Sequence, residues 1–177
     1  MSRKNRLSPD DWLRAGLDAL STLGPEALKA EPLARALDTT KGSFYWHFPD
    51  VPAFRQALLK FWGEESQAAP AAPDDKRAAV AQLHALVRNG FSDDPLAEAA
   101  MRAWARTDAT AKATLEDIDA RRLTHLEDVL KQIGVTNPDI ARLLYAARIG
   151  MGELGPADEK RNHEALDTLV DLVLALR

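Results

Sequence analysis

The stretch TTKGSFYWHF, Thr39–Phe48, decides the reading of this chain. It reads as a short helix whose side chains suit a DNA surface better than a protein core. Just ahead of it lies LARAL, Leu33–Leu37, a second short helical run, and only Asp38 and Thr39 separate the two. Helices joined that tightly make a helix-turn-helix, whose second helix enters the major groove. Thr39 is placed to cap that second helix. The amides of Thr40, Lys41 and Gly42 then form a positively polarised first turn that suits a phosphate oxygen. Glycine costs on the order of 1 kcal/mol in a helix relative to alanine, so Gly42 asks for close approach of another backbone. Lys41 supplies charge, and Ser43, Tyr45, Trp46 and His47 supply hydroxyls and ring N–H donors. Phe44 and Phe48, four apart on one face, anchor the helix to its domain.

The run Thr40 to Phe48, followed by Pro49-Asp50 and the apolar Phe54, Leu58 and Leu59, resembles the TetR family of bacterial transcriptional regulators. The resemblance extends back through Leu33-Ala34 to the amphipathic helix containing Trp12, Ala15 and Leu20, so it covers about the first sixty residues. Beyond them, only the run Met101 to Ala105 looks like one seen in some members. The resemblance implies an all-helical dimer. Its N-terminal helices would bind a palindromic operator, and its C-terminal helices would dimerise and hold a small ligand that lowers DNA affinity. It also implies that Thr39, Thr40, Lys41 and Ser43 lie near bases or phosphates, with Tyr45, Trp46 and His47 on the DNA backbone. Two positions depart from the family pattern. Lys29-Ala30 stands where a Thr usually begins the second helix, and Val51 where a Lys commonly begins the fourth. Lys29 replaces a hydrogen bond with a charge; Val51 removes a phosphate contact. Pro32 is tolerated only in a helix's first turn, which places the start of the second helix near Ala30 or Glu31.

Composition sets limits compatible with this reading. With 177 residues, 46% hydrophobic and 28% charged, the chain can bury a real core in one compact unit or two small ones. It has no cysteine, which excludes disulfides, thiol catalysis and cysteine zinc sites. No apolar run approaches a membrane span, and MSRKNRLSPDD lacks the apolar segment of a signal peptide, so the expected location is cytoplasmic, with no membrane partner. The net charge of −4 is unevenly distributed. Up to Phe48 there are seven Lys or Arg against six Asp or Glu, and from Pro49 onward sixteen against twenty-one. The acidity therefore belongs to the C-terminal part. Arg3, Lys4 and Arg6 form a basic tail suited to phosphates or the adjacent minor groove, or simply to solvation. A nearly neutral headpiece binds DNA weakly alone, so dimerisation is needed for useful affinity.

The chain reads as helical throughout. Ser8, with Pro9 at the first helical position and Asp11 completing a capping box, starts a helix that stops near Gly24-Pro25. Asp50 caps a fourth helix, a connecting segment of about residues 50–67 that holds Phe54, Leu58, Phe61 and Trp62. AAPAAPDD, Ala68–Asp75, is a linker by its prolines. Further helices are expected from about Asp74 to Asn89, Asp94 to Thr107, Ala109 to Ile133, Pro138 to Met151 and Asp158 to Leu176, with Gly134 and Asn137-Pro138 as stop and start signals. The fold class is all-α, with about nine helices. A three-helix helix-turn-helix DNA-binding domain (1–48) precedes a helical ligand-binding and dimerisation domain (49–177).

In the last helix, Leu166, Leu169, Val170, Leu172, Val173, Leu174 and Leu176 occupy more than one stripe, too many for a helix covered on one side. The helix before it carries the small residues Ala146, Ala147, Gly150 and Gly152. Two such helix pairs make a four-helix bundle across a two-fold axis. The expected dimer interface is Ala147, Met151, Leu166, Leu169, Val170, Val173 and Leu176. For an effector pocket the candidates are His84, Phe91, Met101, Trp104, Leu126, Tyr145 and Arg148, an apolar lining with a few polar handles. The DNA-binding set is Lys29, Thr39, Thr40, Lys41, Gly42, Ser43, Tyr45, Trp46 and His47. No HExxH, no Gly-rich phosphate loop and no close His–carboxylate cluster is present, so no enzyme, metal site or cofactor is expected. The function expected is that of a homodimeric repressor, released from its operator by an unidentified small molecule. The alternatives are a ligand-dependent activator or a helical protein-interaction adaptor without operator binding.

Overall fold

The computed structural model describes residues 7–66, 71–154 and 158–175. Arg3, Lys4, Arg6 and Leu176 lie outside the described residues. Among those described there are nine α-helices and one short 3-10 turn, with no strand. The helices are α1 (Pro9–Leu23), α2 (Ala30–Ala36), α3 (Lys41–Tyr45), α4 (Val51–Glu65), α5 (Lys76–Asn89), α6 (Pro95–Ala105), α7 (Ala109–Ile133), α8 (Pro138–Glu153) and α9 (Glu159–Ala175). None of these helices is long and apolar enough to cross a membrane.

Local chemistry sets most boundaries. Asp11 N–H donates to Ser8 Oγ at 3.3 Å while Ser8 N–H donates to Asp11 Oδ2 at 2.7 Å, a complete capping box that holds the Asp11 carboxyl below its usual range. Gly24, at φ +81°, closes α1 through a hydrogen bond from its N–H to Leu20 O. Asp50 and Asp75 cap α4 and α5, each accepting at 2.7 Å from the amide three residues on. Asn137, with Pro138 at the first position, starts α8.

The helices form two compact units. The first holds α1 to α4, α6 and the start of α7 through Ile118; the second holds α5, the rest of α7 from Asp119, α8 and α9. This partition differs from a division at residue 48. Phe54, Leu58, Leu59 and Trp62 of α4 and Met101 and Trp104 of α6 share one core with Trp12, Phe44 and Phe48. Contacts between segments far apart in the chain, which no local pattern reports, draw that boundary.

The centre of the first unit is aromatic. Phe44 lies 5.4 Å from Trp12, edge to face, and 5.4 and 5.3 Å from Phe48 and Phe54. Gly16 lets α1 and α4 meet: a Cβ there would stand 2.7 Å from Phe54 Cζ and 3.1 Å from Leu58 Cδ1. Phe54 cannot swing away, being fully buried and packed edge to face with Phe48 at 5.0 Å. Gly16→Ala is therefore expected to cost about 1–3 kcal/mol by overpacking, more than the roughly 1 kcal/mol alanine gains in a helix. A lower urea midpoint at unchanged slope is the signature, and a stabilised variant would contradict the close approach.

In the second unit, Leu83, Val87, Leu126, Leu130, Ile133, Leu144, Leu166 and Val170 form the core. Beside it is a buried polar network. Arg122 Nη1 donates to Tyr145 Oη at 3.3 Å, and the Tyr145 hydroxyl donates to Asp119 Oδ1 at 2.7 Å. Burial pushes the Tyr145 hydroxyl up to about 12, against the opposing pull of Arg122.

Candidate nucleic-acid interface

The turn between α2 and α3 explains how the interface is built. Helix α2 ends with Leu37 as its last cap residue. Asp38 N–H then donates to Arg35 O at 3.2 Å, and Thr39 N–H to Ala34 O at 2.9 Å. This is a Schellman closure, with Asp38 in the left-handed conformation at φ +47°, where Asp is among the few non-glycine residues tolerated. Because α2 takes the amide of Thr39, the cap of α3 moves one residue along. Thr40, not Thr39, is the N-cap, and its side chain accepts from Ser43 N–H at 3.4 Å. The open first-turn amides are accordingly those of Lys41 and Gly42 rather than Thr40, Lys41 and Gly42.

Helix α3 divides its side chains sharply. Phe44 and Phe48 are buried, while Tyr45 is 46% and Trp46 82% exposed. Lys41 is exposed, and its Nζ lies 5.9 Å from the centroid of the Tyr45 ring, a cation resting on an aromatic face. Ser43 and His47 are half-buried, the latter 6.3 Å from the Phe48 ring. Gly42 is exposed, and a Cβ added to it would meet only Thr40 Oγ1, at an ordinary 3.7 Å. Among the described residues, nothing requires glycine here.

Lys29, Glu31, Pro32 and Arg35 of the α2 region join Lys41, Tyr45 and Val51 around a groove of about 410 Å³. Lys29 makes no side-chain cap to α2; its Nζ pairs with Glu26 at 3.4 Å at the surface. The structure thus brings Lys29, Lys41 and Tyr45 together. Thr39, Ser43, Trp46 and His47 lie along the adjoining turn and helix. Arg35 and Glu31 also line the groove, although sequence reasoning passed over them. Their signal was present: 31 and 35 are four apart and share a helical face with each other.

The expected effector residues are divided between the two units. Met101 and Trp104 are buried in the first unit's core, where Trp104 also borders a cleft of about 190 Å³ with Arg55, Asp108 and Thr110. In the second unit, Leu126 is core, and Phe91 packs against Tyr145, His125 and the Arg122 guanidinium. Burial pushes the His125 imidazole down, favouring its neutral form. Gln82 contacts His125, whereas His84 reaches Asp167 and Asp171 of α9 at 3.4 and 3.5 Å. Two residues apart is about 200° around a helix, so His84 faces away from the Phe91 and Tyr145 cluster. Arg148 lies over the Gly90 turn and donates to Asn89 O at 3.3 Å. Arg122 itself is buried. Its place on the stripe of Arg122, Leu126, Leu130 and Ile133 is the pattern that marks it.

Of the expected dimer residues, Leu166 and Val170 are fully buried in the second unit's own core, so they cannot present a surface to a second copy. Ala147, Met151, Leu169 and Val173 are only partly buried. Beside them Leu143, Leu154 and Leu172 stand exposed.

No protein-family model matches the sequence. The chain is 28% identical over 116 residues to the class A tetracycline repressor protein from transposon 1721 of Escherichia coli, a match covering 55% of this chain and 54% of the repressor. It therefore spans about half the length of that curated relative. Among solved structures, one described as a TetR-family transcriptional regulator from Rhodococcus sp. aligns with a TM-score of 0.74 at 20% identity, covering 94% of this chain and 98% of that one. A transcriptional regulator from Rhodococcus sp. Rha1 aligns at 0.72 and 21% identity, covering 96% and 97%. GusR of Salmonella enterica aligns at 0.59 and 18% identity, covering 94% and 100%. The chain thus shares its all-helical fold with these regulators, and over about half its length its sequence is similar to that of a tetracycline repressor.

Proposed function

We propose that the chain is a homodimeric repressor that binds a palindromic operator through α3 and the α2 groove, and is released by a small-molecule effector. The observation that carries this reading is the outer face of α3. Two large aromatics, one of them 82% exposed, stand beside a lysine and a glycine that the fold itself does not need. A soluble domain gains nothing by exposing Trp46, and a helix gains nothing from Gly42; a DNA backbone lying against the helix accounts for both. Two such helices fit successive major-groove turns when they are about 34–36 Å apart. An effector that binds better to a different spacing draws the population away from DNA, and only its difference in affinity between the two states drives release. The curated relative's name makes it a repressor of tetracycline type. Here that likeness supports effector control without naming the effector.

The experiment is selection of bound genomic fragments by the purified protein, then titration of the enriched site. Gly42→Ala separates the two roles of α3. The fold should keep its stability or gain up to about 1 kcal/mol, while operator affinity falls roughly tenfold or more because each half-site gains a methyl group against the backbone. Lys41→Ala should weaken binding to all sequences alike and lower the salt slope by about one per half-site. Unchanged operator affinity in both variants would remove α3 from the interface, and failure to enrich any palindromic site would favour the protein-interaction adaptor.

A further inference from the structure

The groove beside α3 carries three cations, Lys29, Arg35 and Lys41, and a single carboxylate, Glu31. Phosphate contact accounts for the cations and not for the carboxylate, which repels phosphate and can only accept hydrogen bonds. Glu31 has two local roles. It lies in the first turn of α2, where the helix field favours an acid, and its Oε1 pairs with Arg35 Nη2 at 3.3 Å. Neither role needs the groove. The side chains of Arg35 and Glu31 are 80% and 71% exposed, and a pair that open contributes little to stability. What the pair does supply is orientation. Oε1 of the carboxylate is engaged by Arg35, and Glu31 borders the groove together with that arginine. Within the major groove a fixed anionic acceptor has one chemical complement, an exocyclic amino group, chiefly N4 of cytosine.

We propose that Glu31 is a specificity-determining residue, which accepts a hydrogen bond from a cytosine amino group in each operator half-site while Arg35 positions it. This rests on the operator-binding reading above. The carboxylate weakens attraction to every duplex through phosphate repulsion and recovers that loss only where the correct base offers a donor. It thus widens the gap between specific and non-specific binding in a headpiece with little net positive charge.

The test is selection from a random duplex pool by the full chain and by Glu31→Gln and Glu31→Ala, followed by titration of the best site and of a non-specific duplex at one fixed salt concentration. The native protein is expected to enrich cytosine at one position of each half-site. In Glu31→Gln that position should move to adenine, because a carboxamide pairs bidentately with N6 and N7 of adenine. Glu31→Ala should lose the preference, bind the non-specific duplex more tightly, and lower the ratio of specific to non-specific affinity by about tenfold or more. If both variants enrich the same base as the native protein at every position, with affinity merely raised throughout, Glu31 is only a solvated helix-face residue and the proposal is overturned. The absence of any enriched palindrome with the native protein is a separate result. It overturns operator binding itself, and this proposal with it.

Discussion

Phe44→Ala is expected to lower the stability of the first unit by about 3–5 kcal/mol and to abolish operator binding. The reason is the length of α3. A helix of five residues cannot persist on its own hydrogen bonds, because nucleation alone is unfavourable; tertiary packing must hold it. Phe44 is that packing. Its ring is fully buried and meets Trp12, Phe48 and Phe54 at 5.3–5.4 Å, so truncation leaves a cavity bordered by three aromatic rings that cannot collapse together. Against a typical total of about 5–15 kcal/mol, the loss is large. Trp46→Ala is the matched control, two residues along and almost wholly exposed, and should leave the midpoint within about 0.5 kcal/mol while weakening DNA binding. Denaturant unfolding of both variants, read by tryptophan fluorescence and circular dichroism, distinguishes them. A wild-type midpoint for Phe44→Ala would mean that α3 is held by something else.

The same contrast shows how far the sequence was legible. The anchoring of α3 could be read because Phe44 and Phe48 are four apart, and helix ends could be read where one residue sets them: Ser8 with Asp11, Asp50, Gly134, Asn137 with Pro138. Thr39 and Thr40 were harder. Both are good caps by residue type, and the choice between them is made by α2, whose closure uses the amides of Asp38 and Thr39. The burial of Arg122 follows its stripe; Tyr145, distant in sequence, and Asp119, three residues before it, make that burial tolerable. Long-range packing was not legible. Nothing local says that α6 and the start of α7 share a core with the N-terminal helices, and so nothing local could separate Met101 and Trp104 from Phe91 and Tyr145.

Leu172→Glu is expected to convert the protein to a monomer and to reduce operator affinity by about a hundredfold or more. Within the second unit, α9 turns Leu166 and Val170 inward and leaves Leu172 58% exposed. On α8 and its C-cap, Leu143, Ala146, Gly150 and Leu154 are spaced by three, four and four, which lines them along one helical face, and all are exposed. An exposed leucine can be replaced without harming the protomer's own core, so the substitution interrogates only what covers it. Across a two-fold axis each change counts twice, and two uncompensated carboxylates buried at an apolar contact cost several kcal/mol. Dissociation unlinks the two recognition helices. The second half-site is then no longer bound at high effective concentration, a loss on the order of 10²–10⁴ in affinity with every DNA-contacting residue intact. Sedimentation at micromolar concentration should show one protomer, and the thermal midpoint should lose its dependence on protein concentration. Leu23→Glu, at a comparably exposed leucine on α1, should remain dimeric. If Leu172→Glu and Leu143→Glu both sediment as the native protein does, the α8 and α9 faces are not where two copies meet, and the spacing of the recognition helices must be set by another surface.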